Sequence, residues 1–242
     1  MGSSTRPPGQ MSVSRPRAAR QAAGAYGGVV ASGLILVAAS GLALEVAEAA
    51  RASGRAVLGC VDDDATRWGQ LAGGWLPVLG GLDLVAAHPD APLVVCAGRG
   101  QVRAGLVDRV VEMGAGDRFT SVLHPSVDVP PSCTVGVGSI LLAGVTLTAN
   151  VVVGDHVVCM PSVTLTHDDE VRDFATLCAT VTLGGGVVVG RGAYLGMSSS
   201  VRERVEIGDD SILGMGACLL EDLPSGQTWV GVPARDTQVR QK

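Results

Sequence analysis

From Val129 to Leu219 every sixth residue is aliphatic, with one exception. The series runs Val129, Val135, Leu141, Leu147, Val153, Cys159, Leu165, Val171, Leu177, Leu183, Val189, Leu195, Val201, Ile207, Leu213, Leu219. The exception, Cys159, is small and belongs to a residue type that is commonly buried. Two residues before each member stands a small or β-branched residue, from Val127 and Cys133 to Ala217, except at Asp169. A helix repeats about every 3.6 residues and a strand about every two, so neither yields an unbroken period of six. A parallel β-helix does, because each flat face of a coil contributes one inward aliphatic per six residues. Three such faces close a triangular coil, so positions roughly eighteen apart stack on one another and the stretch holds about five coils.

The rest of the composition suits that reading. Glycine is abundant at 34 residues and aromatics make up only 3%, as expected where corners need small residues and a narrow core is filled by aliphatics. A net charge of −5 argues against non-specific nucleic-acid binding. The six cysteines form no Cys-x-x-Cys pair and read as reduced core residues of a cytoplasmic protein. The run Gly27–Leu44 imitates a signal peptide or membrane span. It is broken by Ser40-Gly41 and leads into an amphipathic helix carrying Glu45 and Glu48, so a soluble protein without a membrane partner is expected. Residues 1–31, rich in Arg, Pro, Ser, Gly and Ala, read as a disordered lead-in.

Between lead-in and repeat, strands alternate with helices. Strands are expected at Leu34–Ala38, Ala56–Val61, Leu93–Ala97 and Phe119–Leu123. Helices are expected from Leu42 to about Ser53 and over Gln101–Met113, with a Pro/Gly-rich connection at Gly73–Gly81. The alternation predicts a small, parallel, Rossmann-like sheet. The chain thus divides into a lead-in (1–31), a Rossmann-like substrate-binding domain (32–122), a β-helix domain (123–235) and a tail (236–242). The segment Trp229–Arg235 is expected to cover the open end of the β-helix.

Only four histidines are present, at 88, 124, 156 and 167. The first three read as solvated or structural. His167 stands two residues past inward Leu165, at a corner, beside Asp168, Asp169 and Glu170. Neighbouring carboxylates can orient one imidazole nitrogen and leave the other to accept a proton. The small-residue rule also breaks here, at Asp169, and a local rule broken once marks a place where function is expected. Spacing alone leaves His167 open between a catalytic base and a surface histidine. The three histidines of the β-helix region could also be set against a zinc site, but only His167 has a supporting constellation, and no metal is expected.

Several motifs, in order, resemble the sugar acyltransferases related to sialic acid O-acetyltransferase and the bacillosamine-pathway sugar-nucleotide N-acetyltransferases. They are Val61-Asp62-Asp63-Asp64, Pro77-Val78-Leu79-Gly80-Gly81, His124-Pro125-Ser126, Thr166-His167-Asp168, Leu213-Gly214-Met215-Gly216-Ala217 and Gly231-Val232-Pro233-Ala234-Arg235. The resemblance implies a left-handed β-helix, a homotrimer, and acetyl-CoA or another acyl-CoA bound between subunits, with the acyl group passing to an amino or hydroxyl group of a sugar, sugar nucleotide or sugar-derived metabolite. It implies His167 as general base with Asp168 as its acid, and a backbone N–H at Gly185, one coil on, as oxyanion donor. The alternative reading of Gly185 is a plain repeat corner. Acyl-CoA contacts are implied at Met160, Thr176, Gly184, Gly185, Gly214 and Gly216. Ser40, Gly41, Asp62 and Asp63 are implied to bind the acceptor, although an acidic strand end is also an ordinary solvated loop.

Three departures stand out. Met160 replaces the family's Asn, Thr176 replaces a second His, and the turn Ala38-Ala39-Ser40-Gly41-Leu42 replaces Gly-x-Gly-Gly-His. They favour an alternative, a non-catalytic trimeric scaffold or ligand-sensing protein that kept the fold.

Overall fold

The computed structural model describes residues 33–237. The expected lead-in over 1–31 and most of the tail over 236–242 lie outside the described residues. Leu-Ile-Leu-Val of β1 (Leu34–Val37) is buried on both faces, which places it inside a sheet. The following elements are α1 (Gly41–Ala52), β2 (Val57–Val61), β3 (Leu71–Ala72), β4 (Leu76–Gly80), α2 (Leu84–Ala87), β5 (Leu93–Val95) and α3 (Gly100–Glu112). The strands align in the order β3-β4-β2-β1-β5, parallel except for the β3–β4 pair. Ser40 caps α1 by accepting the Ala43 N–H at 3.2 Å, and Gly54, at φ +75°, follows its end.

Two expectations need correction. The Gly73–Gly81 connection contains a strand, β4, in which Leu76, Val78 and Gly80 are buried and Pro77 and Leu79 are not. Pro77 is tolerated because it sits near the start of the strand, just before the β2–β4 register begins at Cys60↔Val78. The expected last strand, Phe119–Leu123, does not close this sheet. Phe119 makes one isolated bridge to Leu93, whereas β6 (Val122–Leu123) pairs with Ile140–Leu141 of the solenoid. Leu123 lies six residues before Val129, so the repeat begins one step earlier than it was read.

From Thr134–Val135 to Cys218–Leu219, a two-residue strand ends on every sixth residue of the predicted series. Strands 18 residues apart pair in parallel, as in Val152↔Glu170 and Val158↔Thr176. They form two five-stranded sheets and one eight-stranded sheet. The inward aliphatics make one continuous core, with Leu165, Val171, Leu177, Val189 and Leu195 fully buried. Corners recur at the same period: Asn150, His156, Ser162, Asp168, Phe174 and Thr180 all hold φ between 54° and 63°. Each left-handed corner costs about 1 kcal/mol, which the stacking of successive coils offsets.

The eight-stranded face carries the N-terminal sheet. Ile140 and Val158, pointing outward from it, are buried against Leu42, Val46 and their neighbours on α1. Arg103 of α3 reaches into the same junction and is wholly buried. Its guanidinium donates to the carbonyls of Ala97 (2.5 Å), His156 (2.7 Å), Phe174 (2.7 Å) and Ala175 (3.0 Å), and to Thr176 Oγ1 (3.1 Å). Burial pushes its pKa down to about 10, still charged at neutral pH. His156 is buried beside it, edge-on to Phe119 at 4.8 Å and stacked on Phe174 at 5.2 Å. Its Nδ1 has no hydrogen-bond partner among the described residues.

At the far end, Thr228–Val230 extends the eight-stranded sheet and turns back against Arg235–Asp236. Leu223 and Ala234 plug the core there, each 1% exposed, so the tail closes the open end.

Candidate active site

The strand Thr164–Leu165 runs into a corner at which Asp168 holds φ +62°. That turn brings the Asp168 carboxylate back onto the preceding side chain: His167 Nδ1 lies 2.8 Å from Asp168 Oδ2. Asp168 Oδ1 accepts from Asn150 Nδ2 at 2.9 Å, one coil earlier. These bonds, to His167 first and Asn150 second, hold the Asp168 pKa below the usual carboxylate range. An ionised carboxylate only accepts, so Nδ1 is the donor and Nε2 of the neutral ring is left to take a proton.

One coil on, Gly185 lies under the ring. A Cβ at Gly185 would sit 2.4 Å from both Cε1 and Nε2 of His167, so only glycine allows the imidazole to stand there. The Gly186 N–H donates to the His167 carbonyl at 2.8 Å, while the Gly185 N–H makes no hydrogen bond among the described residues. Gly184 is packed differently: its Cβ would meet Glu203 N at 2.6 Å. Behind the pair, Asp169 is 1% exposed. It accepts from Thr166 N at 2.7 Å and Val187 N at 2.9 Å, and burial pushes its pKa up to about 6.

The structure therefore stacks the corner carrying His167 and Asp168 on the corner carrying Gly184 and Gly185 one coil on, and adds Asn150 from the coil before. The spacing of 18 between Asn150 and Asp168 was the signal that could have found it. Met160 and Thr176 do not join them. Met160 packs half-buried against the cluster around α1. Thr176 is 0% exposed, with its hydroxyl donating to Gly98 O at 2.8 Å and accepting from Arg103. Both belong to the face that docks the N-terminal sheet, so an acyl-CoA contact within the chain is ruled out for Thr176 by burial. Gly214 is held by the tail, its Cβ position 2.6 Å from Val230 Cγ1, whereas Gly216 is a corner at φ +66° with open space around it. The other histidines do not converge on His167: His156 is sealed between rings, and His124 bonds Ser126 at 2.8 Å. Among the described residues no cluster of metal-ligating side chains forms.

In the N-terminal sheet, Asp62 and Asp63 line a cavity of about 180 Å³ with Val37, Ala38, Leu82, Val102 and Leu106. Asp62 is already engaged, accepting from Ala39 N at 2.7 Å and Asp64 N at 3.0 Å and pairing with Arg67 at 3.3 Å. Asp63 forks onto Arg109 at 2.5 and 2.9 Å. Ser40 and Gly41 stand outside the cavity lining. The Ser40 hydroxyl is committed to Cys96 O at 2.5 Å as well as to the cap. Ala38 holds φ +78°, keeping a left-handed turn that glycine would adopt without the Cβ penalty.

This architecture recurs in solved structures. A mutant of perosamine N-acetyltransferase from Caulobacter crescentus, in complex with CoA and GDP-perosamine, superposes with a TM-score of 0.77 at 30% identity over 85% of this chain and 96% of its own. The chain belongs to this family of sugar acyltransferases built on a hexapeptide-repeat left-handed β-helix. A second member, the acetyltransferase domain of PglB from Neisseria gonorrhoeae in complex with acetyl coenzyme A, matches with a TM-score of 0.77 at 27% identity, over 84% of this chain and 98% of its own. WeeI from Acinetobacter baumannii, at 23% identity and a TM-score of 0.72, shares the fold. No protein-family model and no curated protein matches the sequence. Among the described residues no helix is long and apolar enough to cross a membrane.

Proposed function

We propose that this protein transfers an acetyl group from acetyl-CoA to an amino group of a sugar or sugar nucleotide, with His167 as general base. The observation that carries this reading is the imidazole, tied through Nδ1 to Asp168, with Nε2 standing over Gly185. Nε2 takes the proton of the attacking amine as nitrogen bonds to the thioester carbon. The Gly185 N–H, unengaged within the chain, is the donor for the oxyanion. When the tetrahedral intermediate collapses, the C–S bond breaks and the imidazolium returns the proton to the departing CoA thiolate. The complexes of the two relatives with CoA, GDP-perosamine and acetyl-CoA support the donor and acceptor classes.

The His167 side chain is 69% exposed, on an open corner of the solenoid. A neighbouring subunit is the natural wall, so the working form is a homotrimer, with the 32–122 region holding the acceptor and the 123–235 region the acyl donor. Six unpaired cysteines and a CoA thioester suit the cytoplasm.

The test is thiol release from acetyl-CoA with a panel of amino-sugars and sugar nucleotides, alongside light scattering. His167→Ala should remain trimeric and lose about 10²–10⁴-fold in kcat. A trimeric variant that turns over at the parent rate sinks the mechanism. CoA binding without any transfer would instead favour the ligand-sensing alternative.

A further inference from the structure

We propose that Asp169 is a positioning residue for the transfer step, tying the corner that carries His167 to the corner that carries Gly185. The proposal rests on the reading of His167 given above. Asp169 occupies a column of stacked inward positions whose other members are Cys133, Val151, Val187 and Val205. A wholly buried carboxylate in such a column is costly unless hydrogen bonds satisfy it. Here the two satisfying donors lie on the two halves of the candidate site. Thr166 N belongs to the His167 corner, and Val187 N closes the Gly184–Gly186 corner one coil on. Two further ties bracket the same gap: Thr166 Oγ1 donates to Leu183 O at 3.1 Å, and Gly186 N donates to His167 O.

Other inward positions show what an ordinary tie needs. Ser139 Oγ accepts Val157 N at 2.9 Å, and Cys133 Sγ accepts Val151 N at 3.4 Å. One neutral acceptor therefore suffices to bind a coil to the next. The carboxylate adds a second oxygen, and that oxygen fixes the backbone immediately before His167. The charged groups acting on Asp169 are the His167 ring, which favours its ionised form, and the Asp168 carboxylate, which opposes it. The stacked coils on either side offer Val151 and Val187. Burial is the larger influence and pushes the pKa to about 6, so the second tie weakens in mild acid, when one oxygen becomes a hydroxyl.

Asp169→Ser is the informative variant, since it restores the single acceptor seen at Ser139. The trimer and its cooperative melting should persist. kcat should fall ~10–100-fold, the scale of a displacement near 1 Å, with KM for acetyl-CoA unchanged within about threefold. The low-pH limb of the kcat profile should become shallower, because protonation of Asp169 near pH 6 no longer contributes to it. Imidazole ¹⁵N shifts of His167 supply a readout independent of turnover: Asp169→Ser should move the His167 titration or its tautomer balance. Unchanged ¹⁵N shifts together with parent kcat and limb slope would overturn the role. If the parent protein shows no transfer at all, the functional reading fails, and the His167 titration still decides whether Asp169 positions the ring.

Discussion

Gly185→Ala turns the site geometry into a number. The new Cβ would lie 2.4 Å from His167 Cε1 and Nε2 and 3.0 Å from Cδ2, whereas carbon contacts settle at about 3.5–4.0 Å. The ring must therefore retreat by roughly 1 Å. It can do so at little cost, because the side chain is exposed and the residue at 185 keeps a negative φ open to alanine. Folding stability should change by no more than about 0.5 kcal/mol, as for surface substitutions generally. Catalysis should suffer more, because the retreat pulls Nε2 from its place and strains the 2.8 Å bond to Asp168. A 1 Å misplacement is worth about 10²-fold, or ~2.7 kcal/mol of barrier. Thiol-release kinetics beside thermal melts measure both. Gly184→Ala is the contrast: its Cβ strikes the backbone nitrogen of Glu203 at 2.6 Å, so it should lower the melting temperature. An alanine at 185 that leaves kcat untouched would show that the imidazole does not work from the position over Gly185.

Three further outcomes are expected. Arg103→Met leaves the Ala97, His156 and Phe174 carbonyls at the domain junction without a donor and should cost at least ~3 kcal/mol in urea unfolding; a loss below about 1 kcal/mol would mean water replaces the guanidinium. Burial lowers the His156 pKa from 6.5, so its contribution is present above pH 6.5 and is lost as pH falls through the folded value; His156→Leu should flatten the melting profile between pH 7.5 and 5 relative to the parent. The cavity beside Asp62 and Asp63 is reached by an alanine turn, so calorimetry should find UDP- and GDP-sugars binding more weakly than about 1 µM, and tight diphosphate-dependent binding would show that the altered turn is immaterial.

The solenoid was legible because its core obeys one rule, an aliphatic every six residues, which tertiary context does not override. Asp169 stood out as the single break in the accompanying small-residue rule. The corner with His167 and Gly185 followed from the 18-residue stack. Less legible was whatever depends on which sheet a segment joins. Pro77 and the flanking glycines disguised β4, and Val122–Leu123 is two residues long, too short to declare its partner by propensity. Arg103 gave no signal, since an arginine on an amphipathic helix is ordinarily solvated and its burial is decided by carbonyls 53 to 72 residues further along the chain. The motif match placed Thr176 near the acyl donor, but a side chain on that face is covered by the protein's own N-terminal sheet.

The pairing of β6 with Ile140–Leu141 also gives the solenoid a direction of growth. From Ile140–Leu141 to Ile212–Leu213 each strand of that face docks on one made 18 residues earlier, so each of these coils is templated by its predecessor. The first template is β6, delivered by the chain as it leaves the N-terminal sheet. Such contacts are short-range in sequence for a β structure, and their closure is correspondingly fast. During synthesis the N-terminal sheet can settle before the first coil exists, and the coils then add one at a time until Leu223 and Ala234 stop further growth. The stack thus has a first template and a built-in terminus, and no half-made coil need wait for residues far ahead of it.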